Sequence, residues 1–173
     1  MQIKEPRQQL DHMLRQTRMN LVAFSQMADT KAHILLSISS VLLTISLSRL
    51  SEPHFTLSIS VLIIFLLLTI LFALLTVIGK IKVVDRKKHS VQDLDYSPLF
   101  FGNFGDISYA DYAKNFEETM NDSDATYEIM VKDIYYAGTY LLNIKYKYIR
   151  LAYLYFFAGL IVSVFTYFIQ NIF

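Results

Sequence analysis

The chain has no cysteine and no tryptophan, and only three prolines and five glycines among 173 residues. It has no excess of either charge sign: 16 Lys and Arg stand against 15 Asp and Glu. Each shortage excludes something. Without cysteine there is no disulfide, no thiol nucleophile and no thiolate-bound zinc. His12, His33, His54 and His89 are far apart and fall on different predicted elements, so no histidine metal site is expected. A net charge of +1 gives no basic footprint for DNA or RNA. There is no GxSxG, HExxH, phosphate-loop or dinucleotide fingerprint. The chain is therefore expected to be a non-enzyme without a cofactor.

What is abundant is apolar. Hydrophobic residues make up 54% and charged ones only 18%, which is unusual for a soluble domain. Residues 55–79 and 151–173 carry no charge at all, and residues 32–48 carry only His33 near one end. A bilayer core of ~30 Å needs about 20 apolar residues in a helix. Three transmembrane helices are predicted, at 32–50, 55–79 and 148–171. The first is short and rich in Ser and Thr. It follows a long polar arm and has no small-residue cleavage pattern after it, so it does not read as a removable leader.

Lys and Arg set the orientation. The link at 51–54, SEPH, is nearly free of them, while Lys80, Lys82, Arg86, Lys87 and Lys88 follow the second span. Lys145, Lys147 and Arg150 precede the third, and Lys4, Arg7, Arg15, Arg18 and Lys31 mark the N-terminal arm. An N-in, C-out arrangement satisfies every cluster. Tyr148, Tyr153, Tyr155 and Tyr167 fit interfacial belts.

The fold class expected is an all-α integral membrane protein whose helices extend into a small cytoplasmic bundle. Residues 1–31 form a cytoplasmic amphipathic helix, with Leu10, Met13, Leu14, Leu21, Phe24 and Ala28 at three- and four-residue spacing. No breaker separates it from the first span, so one helix over about 7–50 is predicted. Residues 80–147 form the main cytoplasmic region. Its middle is acidic, and such a face should point away from anionic headgroups. Within it, 90–107 reads as a loop, broken by Pro98, Gly102, Asn103 and Gly105. Its aromatics, Tyr96, Phe100, Phe101 and Phe104, either staple the loop to the helices or stack on a flat ligand such as a nucleobase. Ser108 and Asp111 form a capping box for a helix over about 109–120. NDSD at 121–124 caps a second helix over 124–147, in which Tyr127, Met130, Val131, Ile134, Gly138, Leu141, Lys145 and Tyr148 fall on one stripe. That helix is predicted to run unbroken into the third span.

Two polar features remain in the apolar segments. Ser37, Ser40, Thr44 and Ser48 make a stripe at helical spacing, suited to close helix packing or to lining a wet pore. Asp29 and Lys31 sit at the mouth of the first span. A carboxylate there is costly unless paired, and Lys145 and Arg150 are its candidate partners.

These pieces resemble a known family. ADTKAHILLSISSVLL, a D-x-K-A element leading into a span, resembles the opening of the Pycsar effector transmembrane domain. The likeness continues through a short turn, a second span, the FFG loop, a helix bearing Tyr109 and Tyr112, and IKYKYIRLAY entering the last span. It covers the chain from about residue 17 onward.

The resemblance implies a membrane effector of a bacterial anti-phage system in the inner membrane. A partner cyclase would make a cyclic mononucleotide or oligonucleotide, and the switched-on effector, as a homo-oligomer, would damage the bilayer. Carried over residue by residue, it points to Asp29 and Lys31, to Phe100, Phe101 and Gly102, and to Lys145, Tyr146 and Arg150, as ligand contacts or coupling residues. In this reading the aromatic loop stacks the base and a Lys or Arg meets the phosphate. Two other classes compete: a ligand-free scaffold that docks a cytoplasmic partner, and a small channel subunit lined by the Ser/Thr stripe.

Overall fold

The computed structural model describes residues 8–51, 56–78, 99 and 108–172, and the regular secondary structure among them is all helical. Helix α1 spans Gln8–Arg49 and α2 spans Thr56–Ile78. Helix α3 spans Tyr109–Asn121 and α4 spans Ser123–Tyr140. A π-helical turn, Leu141–Tyr146, joins α4 to α5, Lys147–Ile172. The single long first helix is as the unbroken arm-to-span pattern predicts. The chain falls into two compact units, Met1–Ala23 with Lys80–Tyr140 and Phe24–Gly79 with Leu141–Phe173.

In the second unit, packing is inverted relative to a water-soluble bundle. The residues of α2 buried against protein are Ser58, Leu66, Thr69, Ala73 and Thr76, mostly small or hydroxyl-bearing. Its large residues, Ile64, Leu67, Leu71 and Ile78, face outward. Val41 and Ile45 of α1 and Ile161, Phe165 and Ile169 of α5 do the same. So much contiguous apolar surface would be an aggregation hazard in water but is what a lipid environment requires. Three helical stretches are long and apolar enough to cross a membrane, within Gln8–Arg49, Thr56–Ile78 and Ser123–Gln170. The chain is therefore a membrane protein by its helices.

Small residues set the contacts between these helices. Ala32 and Leu35 of α1, Ala73 of α2 and Ile149 and Ala152 of α5 form one buried cluster. A Cβ added to Gly159 would collide with the Phe65 side chain, so α2 and α5 cross at a distance only glycine allows. Two buried hydroxyls of α2 are satisfied within their own helix: Thr69 donates to the Phe65 carbonyl at 2.8 Å and Thr76 to that of Phe72 at 3.0 Å. Ser58 donates to Gln170 Oε1 across the contact at 3.1 Å. Phe72 stacks on Tyr155 with ring centroids 5.1 Å apart.

In the first unit, the capping chemistry is as the sequence predicts. Ser108 Oγ accepts from the Asp111 backbone N–H at 3.2 Å and donates to Asp111 Oδ2 at 2.7 Å, opening α3. Asp122 Oδ1 accepts from the N–H groups of Asp124 and Ala125, opening α4. Tyr127 of α4 and Leu14 of α1 are buried in this unit.

The predicted long helix from 124 into the last span is found as one helical stretch, Ser123–Gln170, with a π-turn inside it that the sequence did not predict. The buried seam leaves the predicted stripe only at its end: Ile149, not Tyr148, is buried beyond Lys145. A π-turn holds one residue more than an α-turn and so advances the buried face by one position. The loop expected over 90–107, apart from Leu99, lies outside the described residues, as does most of the SEPH turn.

Candidate functional site

The D-x-K-A element folds as one turn of α1, where the chain passes from a polar arm to an apolar span. Ala28 and Ala32 are fully buried, and their small side chains allow a neighbouring helix to approach closely. Asp29 and Ser25 are one helical turn apart and so share a face. Onto that face the π-turn delivers Lys145. Its Nζ donates to Asp29 Oδ1 at 2.8 Å, to Asp29 Oδ2 at 2.7 Å and to Ser25 Oγ at 2.8 Å. An ammonium has three protons, and here all three are used. The Lys145 side chain is 10% exposed and that of Asp29 32%. The cation is the buried partner, while the carboxylate keeps one side toward the exterior. Next to it, Tyr146 places its hydroxyl 3.4 Å from the Phe24 carbonyl, a long contact.

Of the two candidate partners for Asp29, the structure selects Lys145. Lys31 and Arg150 are exposed and make no ion pair among the described residues. Like the exposed Lys147, they contrast with Lys145, whose ammonium is occupied. Phe100, Phe101 and Gly102 lie outside the described residues.

Within the one chain, the Ser/Thr stripe faces away from the helix contacts. Ser37, Ser40, Thr44 and Ser48 are exposed. Ser40 donates to the Leu36 carbonyl, Thr44 to that of Ser40 and Ser48 to that of Ile45. Ser39 and Ser46 occupy the buried positions instead, and the Ser39 hydroxyl has no partner among the described residues.

A second polar constellation lies within the first unit. Tyr127 donates to Asp11 Oδ1 at 2.7 Å, and Arg18 pairs with Asp133 at 3.1 Å. Between them runs a largely apolar groove of about 430 Å³, lined by Asp11, Leu14, Arg15, Arg18, Met130 and Ile134. Arg15 is exposed at its rim and makes no ion pair among the described residues.

Sequence reasoning missed Ser25, Asp11, Arg15, Arg18 and Tyr127 as partners in these clusters. A signal for Ser25 existed: it lies four residues before Asp29 on an otherwise apolar face. None existed for the Tyr127–Asp11 bond, which joins residues 116 positions apart.

No curated protein and no solved structure has a sequence match to this chain. The family described as the Pycsar effector protein domain does match, over residues 12–170, a range that takes in the D-x-K-A turn, most of the arm, the second and third span-length helices and the π-turn, so the chain belongs to that family.

Proposed function

We propose that this protein is the membrane effector of a bacterial anti-phage signalling system. It senses a cyclic nucleotide at its cytoplasmic helices and disrupts the inner membrane when switched on. Family membership over nearly the whole chain carries this reading, and the outward-facing apolar helices support a site of action in the bilayer. The effector is non-catalytic and acts as a homo-oligomer. Its ligand is a cyclic mononucleotide or oligonucleotide supplied by a partner cyclase.

The distribution of Lys and Arg supports a cytoplasmic arm and a cytoplasmic 80–147 region, on the side where such a ligand would be made. Three exposed cations on described helices, Arg15, Lys31 and Arg150, are the groups proposed to meet its phosphate. Lys145 is assigned a coupling role, because its protons are already committed to Asp29 and Ser25. For a near-complete switch the ligand must favour the active arrangement by ~5 kcal/mol.

The test is dye release from liposomes that contain the full chain, challenged with a panel of cyclic mono- and oligonucleotides. Leakage that starts or stops with one compound supports the effector reading and names the ligand class. Leakage without any compound, and indifferent to all of them, favours a channel subunit. No leakage under any condition from folded protein favours a scaffold.

A further inference from the structure

No residue of α3 is fully buried in the chain. The helix packs on α4, and Tyr112, Asn115 and Thr119 on one side of it are partly covered. A neighbouring stripe, Tyr109, Ala113, Phe116 and Met120, has the four- and three-residue spacing of a single helix face. Both of its ends stand in the open, with Tyr109 84% exposed and Met120 62% exposed. Glu117 borders this stripe on the side away from Thr119. It is exposed and makes no ion pair among the described residues. A short helix with large apolar side chains beside an acid has the makings of a helix that docks in a groove.

The same compact unit carries a surface of the opposite kind. The groove between the arm and α4 is lined by Leu14, Met130 and Ile134 together with Asp11, Arg15 and Arg18. At about 430 Å³ it takes in side chains rather than a whole helix. Two of its charged residues are already committed, Asp11 to Tyr127 and Arg18 to Asp133. Arg15 is the lining cation that makes no ion pair among the described residues.

Within one chain the two surfaces do not meet. No described residue of α3 lines the groove. Asp122 alone separates α3 from α4, and the Thr126 hydroxyl donates to the Thr119 carbonyl at 2.8 Å. That bond keeps the Met120 end of α3 beside the first turn of α4, while Ile134 lies about 12 Å beyond Thr126 along the helix.

We infer that α3 of one copy docks in the arm–α4 groove of a second copy. Met120 enters among Leu14, Met130 and Ile134, and Glu117 meets Arg15. The occupant of this groove must bring apolar side chains flanked by an acid, and a second copy of the chain brings both. The Glu117–Arg15 pair lies at the rim, so it sets register and partner choice more than affinity. The contact joins unlike patches, so copies add beyond a pair and form a ring or an open row. This inference rests on the homo-oligomer reading above and gives that assembly an interface. In the assembly Arg15 is taken by a carboxylate, which leaves Lys31 and Arg150 for a phosphate.

The absence of native cysteine makes the test clean. Two differently tagged full chains, one with Met120→Cys and the other with Ile134→Cys, are reconstituted together in liposomes and oxidised. A disulfide between the two tags should form, since it requires the close approach that docking supplies. Met130→Cys is a second groove position in case Ile134→Cys disturbs the fold. Lys114→Cys, on another side of α3, should not bond to either. Arg15→Glu in the groove chain should lower the yield roughly tenfold by opposing like charges, and Glu117→Arg in the α3 chain should restore it. Light scattering in detergent counts the copies per particle in parallel. Particles of several copies without the 120–134 or 120–130 bond overturn the inference and leave the homo-oligomer reading in place. Single-chain particles overturn both. Equal bonding from Lys114→Cys and Met120→Cys marks random collision and also overturns it.

Discussion

The strongest residue-level constraint is the ammonium of Lys145. Placed under the surface of an apolar helix pair, it would be costly without the carboxylate of Asp29. Removing Asp29 leaves Lys145 with the Ser25 hydroxyl as its one remaining acceptor among the described residues. Asp29→Ala should therefore destabilise the protein by about 2–4 kcal/mol, below the full loss for a wholly buried pair because the carboxylate is partly exposed. Adding Lys145→Met should recover most of that loss, since it removes the orphaned charge and keeps the packing volume. Thermal unfolding in detergent checks both variants. A double variant as unstable as the single one would mean the two residues do not act as a pair. Sequence alone reduced the partner of Asp29 to Lys145 or Arg150 but could not choose between them. Those residues lie on different sides of a helix, and which side meets α1 depends on a turn that periodicity does not reveal.

For the helical elements, legibility followed the strength of local signals. The arm-to-span helix could be read because nothing between residues 8 and 49 breaks it, and its one Pro-free, Gly-free run is found as a single α1. The start of α3 could be read because Ser108 and Asp111 form a cap through side chains only three residues apart. The π-turn could not be read. In an ideal α-helix Lys145, Tyr148, Ile149 and Ala152 all fall within one broad stripe, so inserting a residue leaves the apolar pattern plausible in either frame. Contacts set by tertiary distance were equally silent, and Gly159 is the clearest case. The sequence shows a glycine in a span, and the structure shows that Phe65 leaves no room for a Cβ there. Gly159→Val should force α2 and α5 apart and cost about 1–3 kcal/mol, the range for overpacking a tight contact. A lower unfolding temperature together with loss of the Phe72–Tyr155 stacking, seen in near-ultraviolet circular dichroism, would confirm it. An unchanged unfolding temperature would mean that the two helices do not cross this closely.

On the scale of the whole molecule, one polar stripe lies outside the helix contacts among the described residues. Ser40 and Thr44 are exposed on α1, and their hydroxyls already bond to carbonyls of their own helix. They add nothing to packing within one chain, so Ser40→Leu with Thr44→Leu should leave its stability within about 0.5 kcal/mol, as for a surface change away from other features. In a bilayer, the same hydroxyls are suited to meeting another helix closely or to wetting a channel. Both roles arise only when several copies assemble. The expected result is a variant with a native unfolding temperature that no longer releases dye from liposomes. Size measurement in detergent then separates the two roles. Fewer copies per particle would assign the stripe to the contact between chains, and an intact assembly that stays tight would assign it to the lesion. Native dye release by the double variant would remove the stripe from the mechanism and leave family membership and the exposed cations to carry the effector reading.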